Sequence, residues 1–160
     1  SWDHFGFSNP SINFGKAEGT LVYDAEKVSN SSVQVTLPLT GLSALADQFY
    51  DHLTGDKWFD AAKYPNATFK STKVEAAGEG KLKVTGYLTI KDITKPVVLD
   101  VHLNKVGEHP MAKVPAIGFD ATATVKRSDF GVGLFAPMVC DEVTLRIPTE
   151  ATAPKADAAK

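Results

Sequence analysis

The sequence predicts an all-β protein, an antiparallel β-barrel of about eight strands with one helix laid across an end as a lid. Three observations carry this reading. Apolar and polar residues alternate with period two in stretch after stretch, the signature of strands with one buried and one wet face. The connections between these stretches are short, which makes neighbours antiparallel. A single segment breaks the alternation with helical spacing. A β-sandwich built from the same strands is the competing architecture.

In chain order, residues 12–23 form a long, less regular strand, with Gly15 or Gly19 marking a bulge or bend. Val33, Val35, Leu37 and Leu39 alternate with Gln34, Thr36 and Pro38 in the next strand. Leu42, Leu45, Ala46, Phe49 and Leu53 follow helical spacing, so a helix is predicted over residues 42–53, with Gly55 as its stop. The adjacent aromatics Trp58 and Phe59 and the stop at Pro65 then lead into a strand carrying Ala67, Phe69 and Ser71. That arrangement suits a lid that lies over a barrel end and turns back into the wall. Leu82, Val84, Gly86, Leu88 and Ile90 share one strand face, Val97, Leu99, Val101 and Leu103 another. Gly78-Glu79-Gly80 turns the hairpin before the first of these strands, and residues 91–95 turn the hairpin between them. Ile117, Phe119, Ala121, Ala123 and Val125 repeat the pattern, and Val143, Leu145 and Ile147 end it.

Length and composition are consistent with this. At 160 residues the chain is one domain, long enough to bury a core or enclose a small cavity. Residues 1–150 make the barrel, and the small, polar, aperiodic residues 151–160 are expected as a tail outside it. Charged residues are 22% and the net charge is −2, which gives no electrostatic case for nucleic acid. The one cysteine, Cys140, has no internal disulfide partner. No run of about 18 apolar residues marks a membrane-spanning helix. No signal peptide is recognisable, and Ser1 to Phe7 reads as the end of a strand. A segment removed by processing or truncation is therefore expected ahead of Ser1.

The inward faces decide what such a barrel holds. Small residues recur on them: Ala67, Ser71, Gly86, Ala121 and Ala123, between walls formed by Phe69, Leu88, Leu99 and Phe119. An apolar tunnel follows from this pattern, with Phe49 at its lid and one of the adjacent Trp58 and Phe59 plugging the end while the other packs outside, or both simply closing the core. A core filled by large residues of facing strands stays open as the alternative. Arg127 and Asp141 continue the inward faces of the last two strands, across the loop from Ser128 to Cys140. An inward charge is costly unless paired, so an Arg127–Asp141 ion pair closing the barrel end is expected. A guanidinium offered to a ligand's head group is the other reading, and both can hold.

Bond-making chemistry finds little support. Asp47, Asp51 and His52 cluster on the helix without a second histidine at ligand spacing, so no metal site is expected. There is no Gly-x-Ser-x-Gly elbow, Walker loop or dinucleotide fingerprint, and nothing in the sequence supplies Cys140 with a base. No catalytic residue and no required cofactor are expected.

Several segments match one family in order. They are His4-Phe5-Gly6-Phe7-Ser8, Gly19-Thr20-Leu21-Val22-Tyr23-Asp24, Asp51-His52-Leu53 with Trp58-Phe59-Asp60 and Tyr64-Pro65, and Phe69-Lys70-Ser71-Thr72. Gly86-Tyr87-Leu88-Thr89-Ile90, Thr94-Lys95-Pro96-Val97, Arg127-Ser128-Asp129-Phe130-Gly131 and Asp141-Glu142-Val143 complete the series. The chain resembles the YceI-like family. It departs from the family in lacking most of a first strand before His4 and in carrying Trp58 where phenylalanine is commoner. The resemblance implies a periplasmic, lipocalin-like barrel that binds a long isoprenoid lipid, an isoprenoid quinone or a polyprenyl phosphate, without catalysis. It also implies transient contact with the membrane or a membrane cytochrome. Oligomeric state stays open, a homodimer included. An enzyme or redox accessory acting on a bound lipid, and a filled structural barrel, are the competing functions.

Overall fold

The computed structural model describes residues 1–154. Its strands are β1 (Asn13–Phe14), β2 (Glu18–Val22), β3 (Ser32–Pro38), β4 (Leu42–Ser43), β5 (Asn66–Ala76), β6 (Lys81–Ile90), β7 (Ile93–Glu108), β8 (Pro115–Lys126) and β9 (Glu142–Thr152). One α-helix, α1 (Asp47–Thr54), stands between β4 and β5. Seven strands form a single antiparallel sheet in the order β2-β3-β5-β6-β7-β8-β9, curled into a half-barrel. The predicted all-β barrel with one helix is therefore present. Among the described residues β2 and β9 are its two edges, with no ladder joining them.

Four boundaries differ from the sequence reading, the β6–β7 hairpin described below and three others. The helix begins at Asp47, not Leu42. Leu42 and Ser43 instead pair with Phe14 and Asn13 as β4, which buries Leu42 and leaves Leu45 89% exposed. Cross-strand pairing wins over a helical spacing that has no partner for its first turn. The long strand over residues 12–23 divides into β1 and β2. The tail begins later than predicted, because Ile117 pairs with Ala151 and Ala116 with Thr152, and the Ala153 amide donates to the Pro115 carbonyl. The rest of the predicted tail, residues 155–160, lies outside the described residues.

The core sits on the inward face of the middle strands. Leu82, Val84 and Leu88 of β6, Val97, Leu99 and Val101 of β7, and Ala121 and Ala123 of β8 are all buried, with Phe69 and Val74 of β5 against them. Burial relaxes toward the edges. Val33, Val35 and Leu37 of β3, Leu21 of β2, and Val143 and Leu145 of β9 are only half-buried, and Ile147 is 36% exposed.

The hairpin between β6 and β7 is tighter than predicted. Only Lys91 and Asp92 lie outside the ladder, with Lys91 in the left-handed region at φ 60°. The last rungs are Ile90↔Ile93, Thr89↔Thr94 and Leu88↔Lys95. Residues opposite each other in an antiparallel ladder share a face. The turn therefore hands Ile93 and Lys95 to the inward face, in line with Val97, Leu99 and Val101.

Candidate functional site

The candidate site is the lid end of the concave face, where the turn at Lys91-Asp92, the start of β5 and the end of β8 meet. The Pro38↔Asn66 rung brings the chain back from the lid into the sheet at this end. Below the helix, the Phe59 amide donates to the Leu53 carbonyl and the Trp58 amide to the Gly55 carbonyl, both as backbone bonds. Those bonds fold the segment under α1. Trp58 and Phe59 both pack, partly buried, on the core, so neither sits outside as a spectator. Phe49 goes elsewhere. It is half-buried against Trp2, with ring centroids 6.0 Å apart, and is not part of the core cluster.

Arg127 is the best-held side chain of the site, and it corrects the expected ion pair. It directly follows β8 and opens a short 3-10 turn, Arg127–Phe130. Its Nε donates to the Cys140 carbonyl at 2.9 Å, and one terminal nitrogen donates to the carbonyls of Val132 at 2.7 Å and Leu134 at 2.8 Å. The other donates to the Val139 carbonyl at 2.7 Å. Four of the five guanidinium N–H groups are thus engaged by the loop that the arginine encloses. Trp58 covers it, with the guanidinium carbon 5.6 Å from the ring centroid. Burial pushes the guanidinium below its ordinary pKa, and the nearby Asp141 charge opposes this. Among the described residues no carboxylate makes an ion pair with Arg127.

Asp141 serves Ser128 instead. The Ser128 amide donates to its carboxylate at 2.8 Å and the Ser128 hydroxyl to its other oxygen. The Ser128 hydroxyl is the largest cause holding Asp141 below the usual carboxylate range, and Arg127 is a lesser one. The two residues meet through the backbone, where the Arg127 amide donates to the Asp141 carbonyl at 2.9 Å. Parity placed them at the same end correctly. A sequence cannot show that the loop between them turns its carbonyls inward and takes the guanidinium first.

The predicted tunnel walls are inward as expected, but one small residue acts differently. Phe69, Leu88, Leu99, Ala121 and Ala123 are buried in the core and Phe119 packs beside them. A Cβ added at Gly86 would lie 2.6 Å from Cζ of Phe69 and 2.5 Å from the Lys70 carbonyl oxygen. The missing side chain of Gly86 is therefore a seat for the Phe69 ring, not free lumen. Two surface clefts share none of these tunnel walls. One, of about 570 Å³, is lined by Asp3, Phe5, Gly6, Pro137, Met138, Cys140, Asp141 and Glu142. The other, of about 280 Å³, runs past Ser1, Trp2, Asn9 and Thr144.

Lys95 is the residue that the sequence reading missed. It is exposed, yet it opposes buried Leu88 on the inward face. The signal was present in the parity of Val97, Leu99 and Val101. It was hidden by assigning residues 91–95 to a turn.

Comparisons with known proteins agree with this architecture. The YceI-like domain matches residues 1–151. A UPF0312 protein of Pseudomonas savastanoi pv. phaseolicola is 36% identical over 129 residues, covering 81% of this chain and 67% of that protein. A UPF0312 protein of Vibrio parahaemolyticus is 34% identical over 129 residues, covering 81% and 68%. Among solved structures, the Campylobacter jejuni YCEI protein superposes with a TM-score of 0.85 at 29% identity, covering 97% of this chain and 91% of that one. BcnA of Burkholderia cenocepacia superposes with a TM-score of 0.80 at 32% identity, covering 88% and 87%.

Proposed function

Because this chain belongs to the YceI-like family, whose lipocalin-like barrel suits hydrophobic ligands, we propose that it binds and carries a long isoprenoid lipid, a polyprenyl phosphate or an isoprenoid quinone, on its concave face. In this reading it is a periplasmic carrier that performs no chemistry on its cargo. It meets the membrane, or a membrane cytochrome, only to load and unload.

The observation that carries the reading is the incomplete burial of the inward apolar residues. Half-buried Leu21, Val33, Val35 and Leu37 on one flank face inward, as do half-buried Val143 and Leu145 on the other. A concave apolar surface left partly wet gains free energy when an apolar chain covers it, about 0.8 kcal/mol per buried CH₂ before ordering costs. A prenyl tail supplies many such groups in one flexible strand, so most of its affinity comes from the tail.

One observation favours a second reading, a structural barrel that carries nothing. Ala121 is 1% exposed and the Phe69 ring already fills the hollow at Gly86, so the middle of the face is closed by the protein itself. Organic-solvent extraction of protein produced in a bacterium, followed by mass spectrometry, separates the two. Near-stoichiometric recovery of an isoprenoid is expected for the carrier. Extracts free of lipid, together with no change in tryptophan fluorescence on titration with a polyprenyl phosphate, would leave the structural barrel.

A further inference from the structure

We infer that Lys95 is the head-group contact of the concave face and that the head group it takes is an anion, a phosphate ester of the lipid. The inference rests on the proposed lipid-binding function and specifies its polar end.

From the lid end to Leu103 and Phe119 the inward positions of the middle strands are apolar, glycine or serine, with Lys95 as the one charge; at the far end Glu108 also shares this face, opposite Pro115, and pairs with Lys113. Its neighbours on the same face of β7 are Ile93, packed on the core, and buried Val97, and directly across is buried Leu88. The alternate residues Thr94, Pro96 and Val98 are exposed on the outer face, which fixes the parity. A charged residue among apolar inward positions breaks the pattern that β7 keeps from Val97 to Leu103. Such breaks are expected where function outweighs folding.

The ammonium is available. Among the described residues the Lys95 ammonium makes no hydrogen bond and no ion pair, whereas Lys16, Lys73 and Lys113 each meet a glutamate. Arg127, the buried cation at this end, has four of its N–H groups tied to loop carbonyls and its face covered by Trp58. Lys91 reaches out to the Gly131 carbonyl at 3.5 Å. Lys95 is thus the cation that faces inward without a partner. It stands only two residues inside the strand from the turn at Lys91-Asp92, at the lid end. An anion there meets a point charge with three rotatable donors, a form suited to phosphate. The tail then runs along the apolar face toward the opposite end. The carbonyls of a quinone carry no charge and gain less from the same ammonium.

The test compares two lipids with one tail, a polyprenyl phosphate and the corresponding neutral polyprenol, titrated against the 160-residue protein and its variants. The parent is expected to prefer the phosphate, with a preference that shrinks as salt rises. Lys95→Gln should weaken phosphate binding about 10- to 100-fold while leaving polyprenol binding within about twofold, a loss of roughly 1.4–2.8 kcal/mol on the tenfold-per-1.4 scale. Lys95→Arg should keep the preference. Thermal melts of both variants near that of the parent show that the sheet is intact. Equal phosphate affinity in Lys95→Gln and the parent, or equal weakening of both lipids, overturns the assignment while leaving the carrier standing. If the parent binds neither lipid, the carrier reading falls and this inference with it.

Discussion

Replacing Arg127 by alanine tests the central construction of the lid end. The change removes four charge-assisted hydrogen bonds, to the carbonyls of Cys140, Val132, Leu134 and Val139, and uncovers one face of Trp58. Bonds of this kind contribute about 1.5–3 kcal/mol each in isolation. They share one side chain, and water can enter the vacated space, so they do not add. A net loss of about 3–5 kcal/mol follows, near the upper end of what single substitutions cost. At about 2–4 °C per kcal/mol for a domain of this size, the melting temperature should fall by roughly 6–20 °C. Adding Asp141→Asn should restore nothing, because Asp141 binds Ser128 and not the guanidinium. Arg127→Lys should recover less than half of the loss, since one ammonium has three donors for four carbonyls. Calorimetry of ligand-free protein reads all three variants. A melt within about 2 °C of the parent would refute the carbonyl clamp, and rescue by Asp141→Asn would reinstate the ion pair.

Gly86→Ala should destabilise the protein by about 1–3 kcal/mol, because its Cβ meets both the Phe69 ring and the Lys70 carbonyl. Adding Phe69→Leu should recover only the ring's share, and denaturant melts separate the two parts. Asp141 titrates below the ordinary carboxylate value, so its contribution is complete above about pH 4 and is lost as pH falls through the depressed value. Ser128→Ala should move that titration upward toward the ordinary value, which carbon-detected NMR of the Asp141 carboxylate follows directly. Trp58→Leu should cost about 0.5–2 kcal/mol, the range of a stacked cation–aromatic contact. If its melt matches that of the parent, Trp58 and Arg127 are neighbours without energetic coupling.

Much of the sheet was legible because its residues obey one rule. The alternation from Leu82 to Val125 identified the inward residues of β6, β7 and β8, and the structure buries most of them. The helix start was not legible, since Leu42 satisfies a helical spacing and a two-residue ladder with Phe14 equally well, and only a partner distant in sequence decides. The Gly86 seat was read as space because composition reports that a side chain is missing, not which neighbour fills the hollow. Arg127 was found by parity, but its partners are backbone carbonyls, which every residue has and no residue type advertises. Lys95 was within reach of the same parity argument. It was lost to a turn drawn three residues too long.

Among the described residues β2 and β9 are the edges of the sheet, which bears on how the sheet flexes. In a closed barrel the bore is fixed by strand number and stagger, because each strand is held on both sides. Among the described residues β2 is bonded only to β3, while β9 is bonded to β8 and, at Thr144, to Ser1, each amide donating to the other's carbonyl at 2.9 Å. The curl can therefore tighten or relax by small changes of twist at each rung, without breaking a ladder bond. Its flanks are also the half-buried parts of the inward face. Strand twist is thus held most tightly at β6 and β7, which are paired along both sides, and least along β2.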